Sequence, residues 1–122
     1  MVGLAPAQSL PFGSIPAVFG TLLIAAVFYG VTAHVAARYV LGDVHFEQGL
    51  LVGIVPATIL VVGVWLLGEG IGLYVALVGA LVGDFVAIDR VYDPGIKWSI
   101  AVTLVHYAVS VLLGVWVTSL FL

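Results

Sequence analysis

Three titratable side chains, Asp84, His34 and His106, stand in stretches of the chain that are otherwise apolar. Asp84 belongs to the segment LVGDFVAIDR, residues 81–90. A charged side chain in the middle of a bilayer costs about 2.5–3.5 kcal/mol on insertion scales, so an acid there is a functional candidate by default. An imidazole titrates near neutral pH, and a coupled Asp–His pair can therefore take up and release protons. These residue types predict a proton relay.

The three side chains are predicted to lie at similar depth. The nearest basic residues on their own segments are Arg90, Arg38 and Lys97. At about 1.5 Å of helical rise per residue, Asp84, His34 and His106 are roughly 9, 6 and 13 Å from those basic residues. We therefore expect all three to point into one shared interior.

Neighbouring polar residues offer Asp84 further partners. The last apolar segment carries polar and small residues at spacings of three and four, which place them on one helix face: Ser99, Thr103, His106, Ser110 and Gly114. A buried Asp84 would be neutral, or hydrogen-bonded to His106, Tyr107 or Thr103. We expect Thr103 and Tyr107 to join the relay, although a polar core that is satisfied and has no other role remains an alternative.

Metal or haem binding is a weaker alternative for the histidines. Two imidazoles and one carboxylate could hold a divalent ion, and His34 with His106 could ligate a haem from both sides. No H-x3-H or E-x-x-H pair occurs on one segment, and the chain has no cysteine. Catalytic signatures such as G-x-S-x-G and the P-loop are also absent. We expect neither a cofactor nor an enzyme.

The composition places these residues in a membrane. Of 122 residues, 64% are hydrophobic and 7% are charged, and the mean hydropathy is +1.34. A soluble domain carries about 25% charged residues. Only a chain whose outer surface faces lipid can have so few, so an integral membrane protein is predicted. Three basic residues are too few for a nucleic-acid interface.

Four segments are apolar and long enough to cross roughly 30 Å of hydrocarbon. They are residues 16–39, 47–67, 71–90 and 96–121, after an N-terminal surface segment at 1–15. The alternation typical of membrane β-strands is absent, so an all-α bundle of four transmembrane helices is predicted. The sequence GEG at 68–70 predicts a tight hairpin in which glycines take positive φ. A weak repeat, VVGVW at 61–65 and LLGVW at 112–116, suggests two tandem helical hairpins.

The basic residues predict the orientation. Arg38, Arg90 and Lys97 all fall on one side of the four-span topology. By the positive-inside rule, loops 40–46 and 91–95 are cytoplasmic and both termini are outside, in the plasma membrane. Insertion in both orientations is an alternative for a chain with so few charges.

Small residues indicate where helices approach closely. Gly79 and Gly83 form a small-xxx-small motif in GALVG, and Gly30 lies on an alanine-rich face. We expect these seams to bring helices together and to support a homo-oligomer, with other membrane subunits as further partners beside the lipid. Pro56 interrupts the second span, either as a packing kink or by freeing a carbonyl that helps to ligate an ion.

Three segments carry a resemblance to a known group of proteins: FYGVTAHVAARYVLGDV (28–44), GDFVAIDRVY (83–92) and TLVHYAVSVLLG (103–114). They resemble small four-span membrane proteins of haloarchaea, a domain of unknown function. The resemblance implies an archaeal plasma membrane, and it supplies no activity or ligand.

Two functions remain open at this point. The leading hypothesis is a small ion or proton carrier or channel that uses Asp84, His34 and His106. The rival hypothesis is a membrane scaffold or accessory subunit that transports nothing.

Overall fold

The computed structural model describes residues 14–68 and 70–121, and these form four helices with no strand among them. The helices are α1 (Ile15–Leu41), α2 (Phe46–Leu67), α3 (Ile71–Tyr92) and α4 (Ile96–Phe121). The predicted all-α architecture is confirmed. Nearly all of the predicted N-terminal surface segment lies outside the described residues.

All four helices are long and apolar enough to cross a membrane. The shortest has 22 residues, which is about 33 Å of helix and matches a hydrocarbon core of roughly 30 Å. Each helix begins and ends within two residues of its predicted span. Large apolar side chains cover the outside of the bundle, as expected where lipid replaces water.

Local sequence sets the ends of these helices. The Ser14 side chain caps α1 by accepting a hydrogen bond from the backbone N–H of Ala17 at 3.2 Å, and Pro16 occupies the first turn. Between α2 and α3, Gly68 and Gly70 have φ values of 81° and 74°. The predicted use of positive φ in this hairpin is confirmed.

Helices α1 and α2 touch backbone to backbone at three glycines. A Cβ added to Gly53 would lie 2.2 Å from the backbone nitrogen of Gly30, and one added to Gly49 would lie 2.8 Å from the Gly30 carbonyl oxygen. Only glycine permits this approach, which is the packing that small residues give membrane helices.

The glycines of α3 face α2 of the same chain. A Cβ on Gly83 would lie 2.3 Å from Cδ1 of Ile59, and one on Gly79 would lie 3.3 Å from Cγ2 of the same residue. The expected close packing at Gly30, Gly79 and Gly83 therefore occurs inside one chain. The homo-oligomer expected from these seams stays a prediction.

The two ends of the bundle differ in packing. The basic end, which carries Arg38, Arg90 and Lys97, contains a closed cluster of buried residues: Ala33, Ala36, Ala37, Val52, Ala87, Ile88 and Val102. The opposite end, called here the terminal end, holds the start of α1 and the end of α4. Residues 15–29 of α1 and 107–121 of α4 contribute no buried residue.

Helices α3 and α4 pack together less extensively than α1 does with α2. The second half of the chain therefore does not repeat the tight packing of the first, which a pair of equal tandem hairpins would require. Pro56 is buried, and α2 remains one helix from Phe46 to Leu67 across it.

Candidate functional site: a buried Asp84–His106 pair

Asp84 and His106 form a hydrogen-bonded pair inside the bundle. Oδ2 of Asp84 lies 2.5 Å from Nδ1 of His106, and the residues are 5% and 2% exposed. On α3, Asp84 follows the buried Ala76 and Ala80 at intervals of four residues, so it lies on the face that α3 turns inward. The sequence predicted that these two residues would share an interior, and the structure brings them together.

Thr32 of α1 contacts the other nitrogen of the imidazole. Its Oγ1 lies 2.8 Å from Nε2 of His106. The same hydroxyl donates to the backbone carbonyl of Tyr29 at 3.1 Å and accepts from the hydroxyl of Ser110 at 3.1 Å. Three helices thus meet in one network, with α1, α3 and α4 each supplying polar side chains.

The hydrogen-bond partners assign the protons of the network. With the single hydrogen of the Thr32 hydroxyl donated to the Tyr29 carbonyl, Nε2 of His106 is assigned as the donor toward Oγ1. At 2.5 Å, Nδ1 of His106 and Oδ2 of Asp84 must have a proton between them, because two bare lone pairs would repel. With this assignment the pair is neutral overall, as imidazolium with carboxylate or as imidazole with carboxylic acid.

A cavity of about 660 Å³ reaches this pair. It is lined by side chains of all four helices: Phe28, Tyr29, Pro56, Leu77, Ala80, Leu81, Asp84, His106, Tyr107, Ser110, Val111, Gly114, Val115, Thr118 and Ser119. From His106 to Thr118 the lining follows α4 for about 18 Å toward the terminal end. Leu77, Leu81 and Val111 are exposed on the outside of the bundle, so the cavity opens sideways between α3 and α4.

Two buried polar atoms near the pair lack a hydrogen-bond partner among the described residues. They are Oδ1 of Asp84 and the hydroxyl of Tyr92. Tyr92 lies two turns beyond Asp84 on the same face of α3, and it packs against the buried cluster of the basic end. An unpartnered buried polar atom is unfavourable, so each such atom requires an explanation.

The structure places His34 away from the pair. Its ring packs edge-on against Phe46 with centroids 5.1 Å apart, and its Cβ side lies against Gly49 of α2. His34 is two residues from Thr32, which is about 200° around the helix. Because Thr32 faces His106, His34 faces α2, and the expectation of one interior shared by three titratable residues does not hold for His34.

Thr103 and Tyr107 lie beside the pair without bonding to Asp84. The Thr103 hydroxyl donates to the backbone carbonyl of Ser99 at 2.7 Å. Tyr107 is 50% exposed and lines the cavity. Pro56 also lines it, from α2.

Sequence comparison adds the family to this picture. The model of a Family of unknown function (DUF7473) matches residues 13–122. The chain belongs to this family. No curated protein and no solved structure matches it. DUF7473 is a domain of unknown function, as the resemblance implied, and a functional argument for this member must come from its own residues.

The histidines of this DUF7473 member are not arranged as a metal or haem site. Among residues 14–68 and 70–121, no group of three or more histidine or acidic side chains could hold a metal ion. Both ring nitrogens of His106 are already hydrogen-bonded, and His34 faces a different helix. The two-histidine arrangement considered from the sequence is therefore not assembled.

Sequence reasoning missed Thr32. A threonine inside a membrane helix can bond the carbonyl one turn earlier, and Thr32 does so through Tyr29. Its residue type therefore gives no signal of a second role. Thr32 lies two residues before His34 and therefore on the opposite side of α1. Its contact with His106 could have been predicted only if His34 had been known to face α2.

Proposed function

We propose that this protein is a proton carrier of the membrane in which the Asp84–His106 pair is the proton-binding group. One observation carries the proposal: a hydrogen-bonded acid and imidazole, both buried, lie at the inner end of a cavity. Intramembrane acid–histidine chains are characteristic of proton relays. The neutral pair holds a proton where an isolated charge would be strongly disfavoured.

One-sided access favours a carrier over an open channel. The cavity leads from the pair toward the terminal end, and the buried cluster closes the basic end. A proton bound from one side would leave on the other after α3 and α4 shift against each other, and these helices share the looser contact. The hydroxyls of Thr32 and Ser110 extend the hydrogen-bonded route from His106 to the cavity.

The proposed setting is an archaeal plasma membrane with the basic end in the cytoplasm. Arg38, Arg90 and Lys97 support that orientation through the positive-inside rule. Loops 40–46 and 91–95 are then cytoplasmic, and both termini are outside. Protons from the outer side would enter the cavity at its terminal end, beside Thr118 and Ser119.

A second candidate function is an accessory subunit of a larger membrane complex. The terminal-end halves of α1 and α4 contribute no buried residue. Another membrane subunit or a second copy of this chain would cover those apolar faces. In that case the Asp84–His106 pair would serve only to hold α3 and α4 together.

Proton uptake by reconstituted vesicles tests the proposal. Vesicles that contain the protein and a trapped pH dye are given an inside-negative potassium diffusion potential, and internal acidification is followed. Wild-type protein is expected to acidify the lumen faster than empty vesicles do. Asp84→Asn keeps the size of the side chain and cannot share a proton with His106 in the same way, so its rate is expected to fall to that of empty vesicles.

Asp93→Asn is the matched control. Asp93 is an exposed acid at the end of α3 with a left-handed φ of 49°, a conformation that asparagine also adopts. Its rate should equal the wild-type rate. Wild-type vesicles no faster than empty ones would contradict the carrier and favour the subunit, and full activity in a folded Asp84→Asn protein would remove Asp84 from the mechanism.

A further inference from the structure

The cavity combines an apolar wall with a single acidic group at its inner end. Its described lining contains one carboxyl, Asp84, one histidine, His106, and no lysine or arginine. The three basic residues of the chain all lie at the basic end. Whatever fills this space meets an environment that can become negative and has no fixed positive charge.

Asp84 lines the cavity and retains an unused acceptor atom. Its Oδ2 bonds His106, whereas its buried Oδ1 has no hydrogen-bond partner among the described residues. A carboxylate oxygen only accepts hydrogen bonds, so the missing partner must be a donor. A donor that also carries positive charge forms the stronger bond.

Size and access point to a lipophilic molecule. A volume of about 660 Å³ lies in the range of about 300–1,000 Å³ typical of small-molecule sites. The exposed Leu77, Leu81 and Val111 frame an opening toward the bilayer, from which an amphiphile dissolved in lipid can enter. Phe28, Tyr29 and Tyr107 add aromatic rings to the lining, and such rings attract cations.

We propose that this cavity binds a protonated lipophilic amine, which replaces one proton of the Asp84–His106 pair. The N–H of the ammonium donates to the Asp84 carboxylate, and its apolar part occupies the space along α4. One proton of the pair leaves to water: His106 keeps the proton between Nδ1 and Oδ2, loses the one on Nε2, and remains neutral while Nε2 accepts from the Thr32 hydroxyl. One positive charge enters the site and one leaves, so the buried charge is unchanged.

Few other ionisable groups face the pair. Helix α1 presents Tyr29, whose ring is edge-on to His106 with centroids 6.2 Å apart. Helix α4 presents Tyr107, and α3 has Tyr92 on the face of Asp84. Helix α2 contributes Pro56, which does not titrate. The pair is thus the group placed to exchange a proton for the amine.

The inference rests on the same pair as the proposed function, but its test requires no transport. N,N-dimethylbenzylammonium and benzyltrimethylammonium have the same charge and similar size, and only the first has an N–H. N,N-dimethylbenzamide is a neutral analogue. Calorimetric titration of the purified full chain, repeated in two buffers of different ionisation enthalpy, gives both affinity and the number of protons released.

The tertiary ammonium is expected to bind with close to one proton released per molecule. A hydrogen bond to a charged group makes its affinity about tenfold higher than that of the quaternary ion. Asp84→Asn should lose both the affinity difference and the proton release. Asp93→Asn, as the matched control, should behave like the wild type.

Three results would overturn the amine site: equal affinity for the tertiary and quaternary ions, binding without proton release, or binding that Asp84→Asn leaves unchanged. Binding that Asp84→Asn leaves unchanged would mean that the amine partitions into the detergent. Proton flux that depends on Asp84 without amine binding would remove this inference and leave the carrier standing. Amine binding with proton release but without proton flux would remove the carrier and leave the amine site standing.

Discussion

At the scale of single residues, Asp84 is tolerated in the bundle because His106 neutralises it. A buried ion pair is stable only when its geometry is good and its remaining polar atoms are satisfied. His106 meets this condition through Thr32, which orients the ring and accepts from Nε2. Oδ1 of Asp84 has no hydrogen-bond partner in the described part of the chain, so a ligand or a proton can bind at this atom.

Thr32 therefore matters to the pair without touching Asp84. Thr32→Val is nearly isosteric and leaves the Nε2–H of His106 and the hydroxyl of Ser110 without their acceptor. A buried polar group left unsatisfied costs about 1–3 kcal/mol. We expect a lower midpoint of thermal unfolding in detergent and slower proton uptake in vesicles.

Thr32→Ser is the control for this substitution. It keeps the hydroxyl and loses only one methyl group, so most of the stability and proton uptake should remain. A Thr32→Val protein with wild-type stability and flux would show that the network is not needed to hold His106.

The residue pair was predictable from the sequence, whereas the position of His34 was not. Rise along a helix gives depth, and Asp84 and His106 were expected to meet on that basis. Depth says nothing about the direction in which a side chain points. Gly30 and His34 are four residues apart and share a face of α1. Because Gly30 packs on Gly53 of α2, His34 also faces α2.

At the scale of helices, the contact between α1 and α2 allows the least change. Gly53→Ala would place a Cβ 2.2 Å from the backbone nitrogen of Gly30 and 2.5 Å from its Cα. Backbone atoms cannot rotate away, so the helices must separate. Overpacking of this kind costs about 1–3 kcal/mol, and the midpoint of thermal unfolding should fall accordingly.

Substitutions at two other glycines give reference values for the midpoint of thermal unfolding. Gly20→Ala meets nothing within 4 Å and should stabilise the helix by up to about 1 kcal/mol. Gly83→Ala meets the terminal methyl of Ile59, which can rotate, so its effect should lie between the other two. A Gly53→Ala protein as stable as Gly20→Ala would contradict the close contact between α1 and α2.

Helix number and boundaries followed from composition, because lipid requires about 20 consecutive apolar residues per span. The pairing of helices did not follow from composition. A small-xxx-small motif marks a close approach and does not name the partner. Gly79 and Gly83 were expected to bring helices together, but the sequence did not identify Ile59 of α2 as the residue on which they pack.

At the scale of the whole molecule, the defining feature is the difference between the two ends. Side chains of α3 and α4 line the cavity toward the terminal end, while a cluster of buried apolar residues closes the basic end. This asymmetry was not predictable from the sequence. It depends on the crossing of α3 with α4, and the apolar residues that line the cavity have the same types as those that face lipid.

Both proposals depend on one claim, that Asp84 and His106 hold a proton between them while Nε2 donates to Thr32. Nitrogen-15 NMR of the imidazole rings tests it most directly, and only three histidines need assignment. We predict that Nε2 of His106 is protonated at neutral pH and that the Nδ1 signal changes in Asp84→Asn. An Nε2 without a proton, or a His106 spectrum unchanged by Asp84→Asn, would contradict the account.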